Sequence, residues 1–360
     1  MSDKVLMKGN EAIAEAAIQA GCRHYFGYPI TPQTEIAAYM SKRLPKAQGG
    51  CFLQAESEVA AINMVIGASA AGKRAMTSSS SPGIALKSEG LSYLAGCDLP
   101  AVVVNIQRGG PGLGSIQPGQ ADYFQAVKGG GHGDYRMVVL APSTVQEAFN
   151  YTALAFSLAD KYRVTSMILS DGILGQMMEP VDFTSLRFYN SEQEEKAWAL
   201  TGTENKRPPN IINSLFMDPI KQDPEELEKV VFARYERYAE IEKAETRWEE
   251  RFTEDADVVV VAYGAAARVA ANAVQAARAE GIKAGLLRPI TLWPYPKAPL
   301  AALAQRAKAF VCVEMSMGQM VEDLELAIRC AKPVLRSNRT GGMVHGVEEI
   351  LAKIREADAC

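Results

Sequence analysis

Closely spaced cysteines are missing from this chain. Its six cysteines, at 22, 51, 97, 312, 330 and 360, include no C-x-x-C pair, which argues against a zinc site, a ferredoxin-type cluster or a disulfide framework. Cys51 and Cys312 adjoin or lie in apolar stretches and read as small core residues. An excess of one charge is lacking too: 38 basic residues face 42 acidic ones, a net −4. Nothing there points to nucleic acid. No apolar run is long enough to span a membrane, and the opening Met-Ser-Asp-Lys has no signal peptide's apolar core. We expect a soluble, cytoplasmic protein. Histidines are few, at 24, 132 and 345, and a lone histidine such as His132 in Gly129-Gly-Gly-His-Gly-Asp134 carries little weight.

What is present is apolar length. A chain of 360 residues that is 48% hydrophobic can bury two cores. Strands and helices alternate along its first half. Asn10 reads as the cap of a helix over 10–20, with Gly21 ending it. A strand follows at 24–28, then helices after Thr31 and over 56–71, with strands at 101–106, 136–141 and 164–170. Ser143-Thr-Val-Gln146 reads as a capping box for a helix at about 144–159. Such alternation means an α/β fold with a mostly parallel sheet covered on both faces. The composition turns polar at about residue 183 and includes Arg207-Pro-Pro-Asn210; residues 224–252 read as a charged linking helix. A second α/β unit starts at Asp257-Val-Val-Val-Val-Ala262. We expect units at 1–183 and 253–360, with 184–252 between them. Ser78–Ser81, closed by Pro82-Gly83, reads as a polar turn.

Three places carry chemistry. In Tyr28-Pro-Ile-Thr-Pro-Gln-Thr-Glu35, Pro29 stops the strand, Thr31 reads as an N-cap and Pro32 as the first helical residue. Ligands of open α/β sheets bind where a strand's carboxyl end turns into a helix. Thr31 is thus either a helix cap or a hydroxyl held rigidly at a ligand site. In the helix over 56–71, a turn of about 100° per residue puts Glu58 on a face with Ala61, Ile62, Val65 and Ser69, while Glu56 points with Asn63 and Gly67. An acid on an apolar face should be desolvated, its pKa raised, and suited to proton exchange with a ring nitrogen. Gln107-Arg-Gly-Gly-Pro-Gly-Leu-Gly-Ser115 lacks the third glycine of a dinucleotide fingerprint, and no strand ending in an acid follows it. Arg108 there is either a fork for a carboxylate or an ordinary ion-pair residue.

Taken together, Tyr28-Pro-Ile-Thr-Pro32, Ser57-Glu58-x-Ala-Ala61, Arg108-Gly-Gly-Pro-Gly112, Ser170-Asp-Gly172, Arg288-Pro-Ile-Thr-Leu-Trp-Pro-Tyr-Pro296 and Glu314-Met-Ser-Met-Gly-Gln319 form a specific set. On these the chain resembles the α subunit of the 2-oxoacid:ferredoxin oxidoreductases, which use thiamine diphosphate and coenzyme A. The run Gln117–Asp134 looks most like the branched-chain (2-oxoisovalerate, 3-methyl-2-oxobutanoate) members; 2-oxoglutarate members are close relatives. The resemblance implies a pyrimidine-binding domain of the thiamine diphosphate fold followed by a transketolase C-terminal-like domain. It implies that Glu58 holds the aminopyrimidine nitrogen and favours its imino tautomer, with Pro29 and Ile30 beside the cofactor. Arg108 would grip the substrate carboxylate and Thr31 the keto oxygen.

The family's diphosphate and magnesium motif, a Gly-Asp-Gly followed by an asparagine, has no match here. Ser170-Asp171-Gly172 corresponds to the end of the pyrimidine domain instead. The resemblance therefore implies half an active site in a hetero-oligomer. A β subunit would bring the diphosphate and Mg site, iron–sulfur and γ-type subunits would bring the 4Fe-4S clusters, and ferredoxin would take the electrons. The rival readings are a non-redox thiamine diphosphate subunit and a noncatalytic scaffold of the same fold.

Overall fold

Ala101-Val-Val-Val-Asn-Ile-Gln-Arg-Gly109 is buried at every residue. A strand covered on both faces belongs in the middle of a parallel sheet. The structure, a computed structural model, describes residues 4–188, 196–201 and 224–360. Its first part runs β1 (Val5–Lys8), α1 (Gly9–Gln19), β2 (His24–Gly27), α2 (Thr34–Arg43), β3 (Cys51–Gln54), α3 (Glu58–Ala70), β4 (Ala75–Ser79), α4 (Ser81–Leu86), α5 (Ser88–Gly96), β5 (Ala101–Gly109) and β6 (Ser115–Pro118). Then come β7 (Val138–Leu140), α6 (Val145–Tyr162), β8 (Thr165–Asp171), α7 (Gly172–Gln176) and β9 (Met178–Val181). After α8 (Pro224–Glu245) follow β10 (Trp248–Arg251), β11 (Val258–Ala262), α9 (Gly264–Ala279), β12 (Ala284–Pro289), β13 (Thr291–Trp293), α10 (Lys297–Leu303), β14 (Ala309–Glu314), α11 (Met320–Ala327), β15 (Val334–Asn338) and α12 (Val347–Asp358).

Among the described residues one sheet has the order β13-β7-β8-β5-β4-β2-β3, with β6 added on β5, and a second has the order β10-β12-β11-β14-β15. From β7 to β3 the first sheet is parallel, so those strands all end at one edge. No helix among the described residues is long and apolar enough to cross a membrane.

Several local expectations need correction. Asn10 does not cap α1, which starts at Gly9; it is buried and donates to Pro32 O and Glu35 Oε2. Thr31 does not cap α2, and Pro32 is not its first residue. That helix begins at Thr34, with Gln33 at the N-cap position. The cap of α6 is displaced by one residue: Thr144 Oγ1 accepts from Glu147 N, and Glu147 rather than Gln146 reaches back to Ser143 N. The linking helix ends at Glu245; residues 248–251 form β10, an antiparallel edge strand on β12. Cys51 is exposed, whereas Cys312 is buried as expected. Arg207-Pro-Pro-Asn210 lies outside the described residues.

The two sheets are stitched by side chains of the distinctive segments. Gln120 donates to Tyr263 O at 3.0 Å and accepts from Met315 N at 2.9 Å. Gln319 donates to Ala121 O and accepts from Phe124 N. Arg288, on β12, forms ion pairs with Glu147 of α6 and Glu249 of β10. Beneath them Glu314 is wholly buried. Its carboxylate accepts from Gln319 N, Met320 N, Val321 N and Ser316 Oγ at 2.6–3.2 Å, so the start of α11 closes on a charge that its own N–H groups solvate. Each buried donor left unpaired costs about 1–3 kcal/mol. Glu314→Ala should therefore lower stability by about 3 kcal/mol or more, read as a lower melting temperature. An unchanged melting curve would show that the nest re-forms on water.

Candidate active site

The four-serine run is not a polar turn. It is the buried carboxyl end of β4 and the start of α4. β4 lies between β2 and β5, so its end sits among the loops of its neighbours. Ser78 Oγ shares a 2.7 Å hydrogen bond with Tyr25 Oη and donates to Gln33 Oε1. Gln33 in turn donates to Tyr28 O at 3.2 Å, which fixes the 28–33 loop. Ser81 Oγ accepts from Arg108 N at 3.0 Å and donates to Asp122 Oδ2. Ser79 and Ser80 are buried, and their hydroxyls have no hydrogen-bond partner among the described residues.

Glu58 opens α3 behind Ser57, whose hydroxyl accepts from Ala60 N at 3.1 Å. The buried face of α3 is Glu58, Ala61, Ile62, Val65 and Ser69, as the spacing predicts, and Glu56 is exposed. The carboxylate faces α4 where Gly83 leaves room: a Cβ built there would lie 2.6 Å from Glu58 Oε1 and 2.1 Å from Ser79 Oγ. A cation that the sequence reading did not name lies beside Glu58 and bonds its main chain. Lys87, fully buried, donates from Nζ to Glu58 O at 3.3 Å. Burial pushes the Lys87 ammonium down to about 8, and the charge of Glu58 opposes that shift.

Arg108 ends β5 and is buried. Its outer nitrogens donate to Thr31 O at 3.0 Å and Leu113 O at 2.9 Å, while Nε is buried without a partner among the described residues. The structure thus brings Arg108 and Thr31 together, through the Thr31 carbonyl. Asp122 lies beside them, held by Ser81 and by Asn105 Nδ2 at 3.0 Å. Burial raises the Asp122 carboxyl above its usual range, against these two hydrogen bonds and the Arg108 charge. Thr31, exposed, also lines a cleft of ≈ 500 Å³ with Ile116, Pro118 and Ile173. Pro29 is exposed and Ile30 half-buried on the same loop.

Other candidates fall elsewhere. Asp171 is buried, and its carboxylate accepts from Ile173 N, Leu174 N and Ala265 N. It caps α7 and holds the start of α9. His132 is exposed. His345 is buried against Ser337 O. Sequence reasoning missed Lys87, Asn105 and Asp122. Only Asn105 carried a local signal, as a polar residue inside an apolar strand.

Comparison with known proteins shows the family. The family profile described as pyruvate flavodoxin/ferredoxin oxidoreductase, thiamine diphosphate-binding, matches residues 15–251. One described as pyruvate:ferredoxin oxidoreductase core domain II matches residues 256–350. The chain is 51% identical over 351 residues to the ketoisovalerate oxidoreductase subunit VorB of Methanothermobacter marburgensis, covering 98% of this chain and 97% of that relative. It is 37% identical over 373 residues to the 2-oxoglutarate synthase subunit KorA of Methanothermobacter thermautotrophicus, covering 98% and 99%. A solved 2-oxoglutarate:ferredoxin oxidoreductase from Magnetococcus marinus, with 2-oxoglutarate, coenzyme A and succinyl-CoA bound, superposes with a TM-score of 0.84 at 29% identity. The match covers 99% of this chain and 66% of that one. A split-gene transketolase shares the fold, with a TM-score of 0.59 at 14% identity.

Gly83→Ala tests how tightly this floor is packed. Alanine is the better helix former by about 1 kcal/mol, so an open site would be stabilised. The added Cβ would instead press on Ser79 Oγ and the Glu58 carboxylate, and overpacking of this kind costs about 1–3 kcal/mol. We expect a lower melting temperature; a higher one would mean that the carboxylate can swing away freely.

Proposed function

This chain belongs to the thiamine diphosphate-binding pyruvate flavodoxin/ferredoxin oxidoreductase family and is a 2-oxoacid:ferredoxin oxidoreductase subunit, and from that premise we propose that it serves a branched-chain 2-oxoacid. The reaction is R–CO–COO⁻ + CoA-SH → R–CO–S-CoA + CO2 + H⁺ + 2 e⁻, with ferredoxin taking the electrons one at a time. The single observation that carries the site is the buried carboxylate of Glu58 at the carboxyl edge of a parallel sheet, beside orphaned hydroxyls. That set fits the polar end of an aminopyrimidine: an acid for the ring nitrogen, unused hydroxyls beside it and a glycine where a side chain would fill the space. Bound there, the cofactor supplies the nucleophilic carbon and the electron sink for decarboxylation.

This chain's residues do the rest. Glu58 holds or releases a proton at the ring nitrogen. Pro29 and Ile30 form the wall beside it. Arg108 takes the substrate carboxylate with Nε and the nitrogen now spent on Leu113 O, since Leu113 lies on an exposed glycine loop. Thr31 faces the keto oxygen. We assign residues 1–183 to the pyrimidine-binding unit and 253–360 to the transketolase C-terminal-like unit. Partner subunits then supply the diphosphate and Mg site and the 4Fe-4S clusters, and the complex works in the cytoplasm.

Two observations favour a branched substrate over 2-oxoglutarate. The relatives named for ketoisovalerate are more similar than those named for 2-oxoglutarate, 51% against 37%. The cleft beside Thr31 has Ile116, Pro118 and Ile173 as apolar walls, and its charged lining residue is Glu35, already paired with Lys8. A second carboxylate would find no cation among the described residues of that lining.

The complex assembled with its partner subunits should oxidise 2-oxoisovalerate with a higher kcat/KM than 2-oxoglutarate, followed by ferredoxin reduction. The reverse order would assign the chain to the 2-oxoglutarate members. In the same complex Glu58→Gln should cost about 10²–10⁴-fold in turnover, the usual worth of a positioned proton donor, while Glu56→Gln, on the exposed face, should change little. Near-normal turnover of Glu58→Gln would sink the assignment.

Binding to the lone chain gives a separate check. Most affinity for a diphosphate comes from a metal and backbone donors, which this reading places on a partner. Calorimetry should find weak binding of thiamine diphosphate to the chain alone and tight binding once the partner and Mg are added. Micromolar, Mg-dependent binding by the lone chain would place the diphosphate site here instead.

A further inference from the structure

Lys87 has no part in the chemistry described so far. It stands at the junction of α4 and α5, one helical turn beyond Gly83, and is fully buried. The one hydrogen bond of its ammonium among the described residues is to the main-chain oxygen of Glu58, at 3.3 Å. A buried ammonium with a single neutral acceptor is costly, and a methionine of similar length would be cheaper to bury. We propose that Lys87 is a positioning residue: its ammonium ties down the first turn of α3 and supplies the fixed counter-charge against which Glu58 meets the ring nitrogen. This rests on the role given to Glu58 above and adds a residue to it.

The charges around Lys87 can be placed. Glu58 faces it from α3. Arg108, at the end of β5, and Asp122 meet α4 at its other end through Ser81. Glu89, on α5, and His132, on the loop whose carbonyl accepts from Ser92 Oγ, are exposed. Glu58 is the charge that holds the ammonium's proton on, against burial, which pushes it down to about 8. Lys87 is therefore charged below that pH and loses its charge as the pH climbs through it.

The test reads Lys87 directly, in the full chain without cofactor. Side-chain NMR of labelled lysines should show one titrating near pH 8, its signal identified by its loss in Lys87→Met. In Glu58→Gln that midpoint should fall by about one pH unit, the usual effect of removing an opposite charge nearby; in Glu56→Gln it should stay. A lysine midpoint that ignores Glu58→Gln overturns the proposal, and this arm needs no substitution at Lys87 to fold. In the assembled complex, Lys87→Met should lose at least about tenfold in kcat/KM and lose the alkaline limb near pH 8, with its melting temperature kept. A lower melting temperature with the pH profile unchanged would make Lys87 merely structural. The two readings fail separately. If Glu58→Gln abolishes turnover while no lysine midpoint moves, only the role of Lys87 falls. If the midpoint moves but the complex binds no thiamine diphosphate, the proposed function falls and the pair stands.

Discussion

The carboxyl end of β4 is the constraint on which the site depends. In a parallel sheet every strand releases its chain at the same edge, so the loops after β2, β3, β4 and β5 must share one narrow space. Serine is small enough for that space and still carries a donor and an acceptor. Ser78 reaches the 28–33 loop through Gln33, and Ser81 reaches Arg108 and Asp122. Ser79 lies against the position where Gly83 makes way for Glu58. Each bond is worth only about 1 kcal/mol net. The geometry matters more, because a larger residue at any of these positions would push two functional loops apart.

That crowding explains how so many charges can be buried at one edge. Isolated charges cannot leave water cheaply, so each here is met by oriented groups. Arg108 is met by carbonyls of two loops and Asp171 by three backbone N–H groups, while Lys87 bonds the main-chain oxygen of Glu58 and sets a positive charge near its carboxylate. Among the described residues, the buried atoms at this edge that keep no partner include Arg108 Nε and the hydroxyls of Ser79, Ser80 and Ser170. They lie where the proposed function needs unspent hydrogen-bonding capacity, and a site that binds polar groups must keep some.

Legibility in the sequence followed the range of the interactions. The face of α3 was readable because 3.6 residues per turn fixes which side chains point inward, and Glu58 falls among them. The strands 101–109 and 258–262 were readable because continuous burial leaves continuous apolar text. Arg108 could be placed at a strand end, but its pairing with Thr31 O spans 77 positions and has no local trace. Thr31 was misread as a cap because Thr-Pro is a good helix start locally; burial of Gln33 under Ser78 instead moves the start to Thr34. Lys87, between Leu86 and Ser88, has no local sign of burial in the sequence, and it is buried where α3 packs on α4 and α5.

The same distinction bears on how the active site is divided. Ser170-Asp-Gly172 contains a buried aspartate. Here both of its carboxylate oxygens are spent, one on the two N–H groups that open α7 and the other on Ala265 N at the start of α9. Burial raises this carboxyl, and those N–H groups work against the rise. A metal would have to displace these bonds, and the one from Ala265 N joins the two halves of the chain. Asp171 is thus a structural tie between α7 and the start of α9.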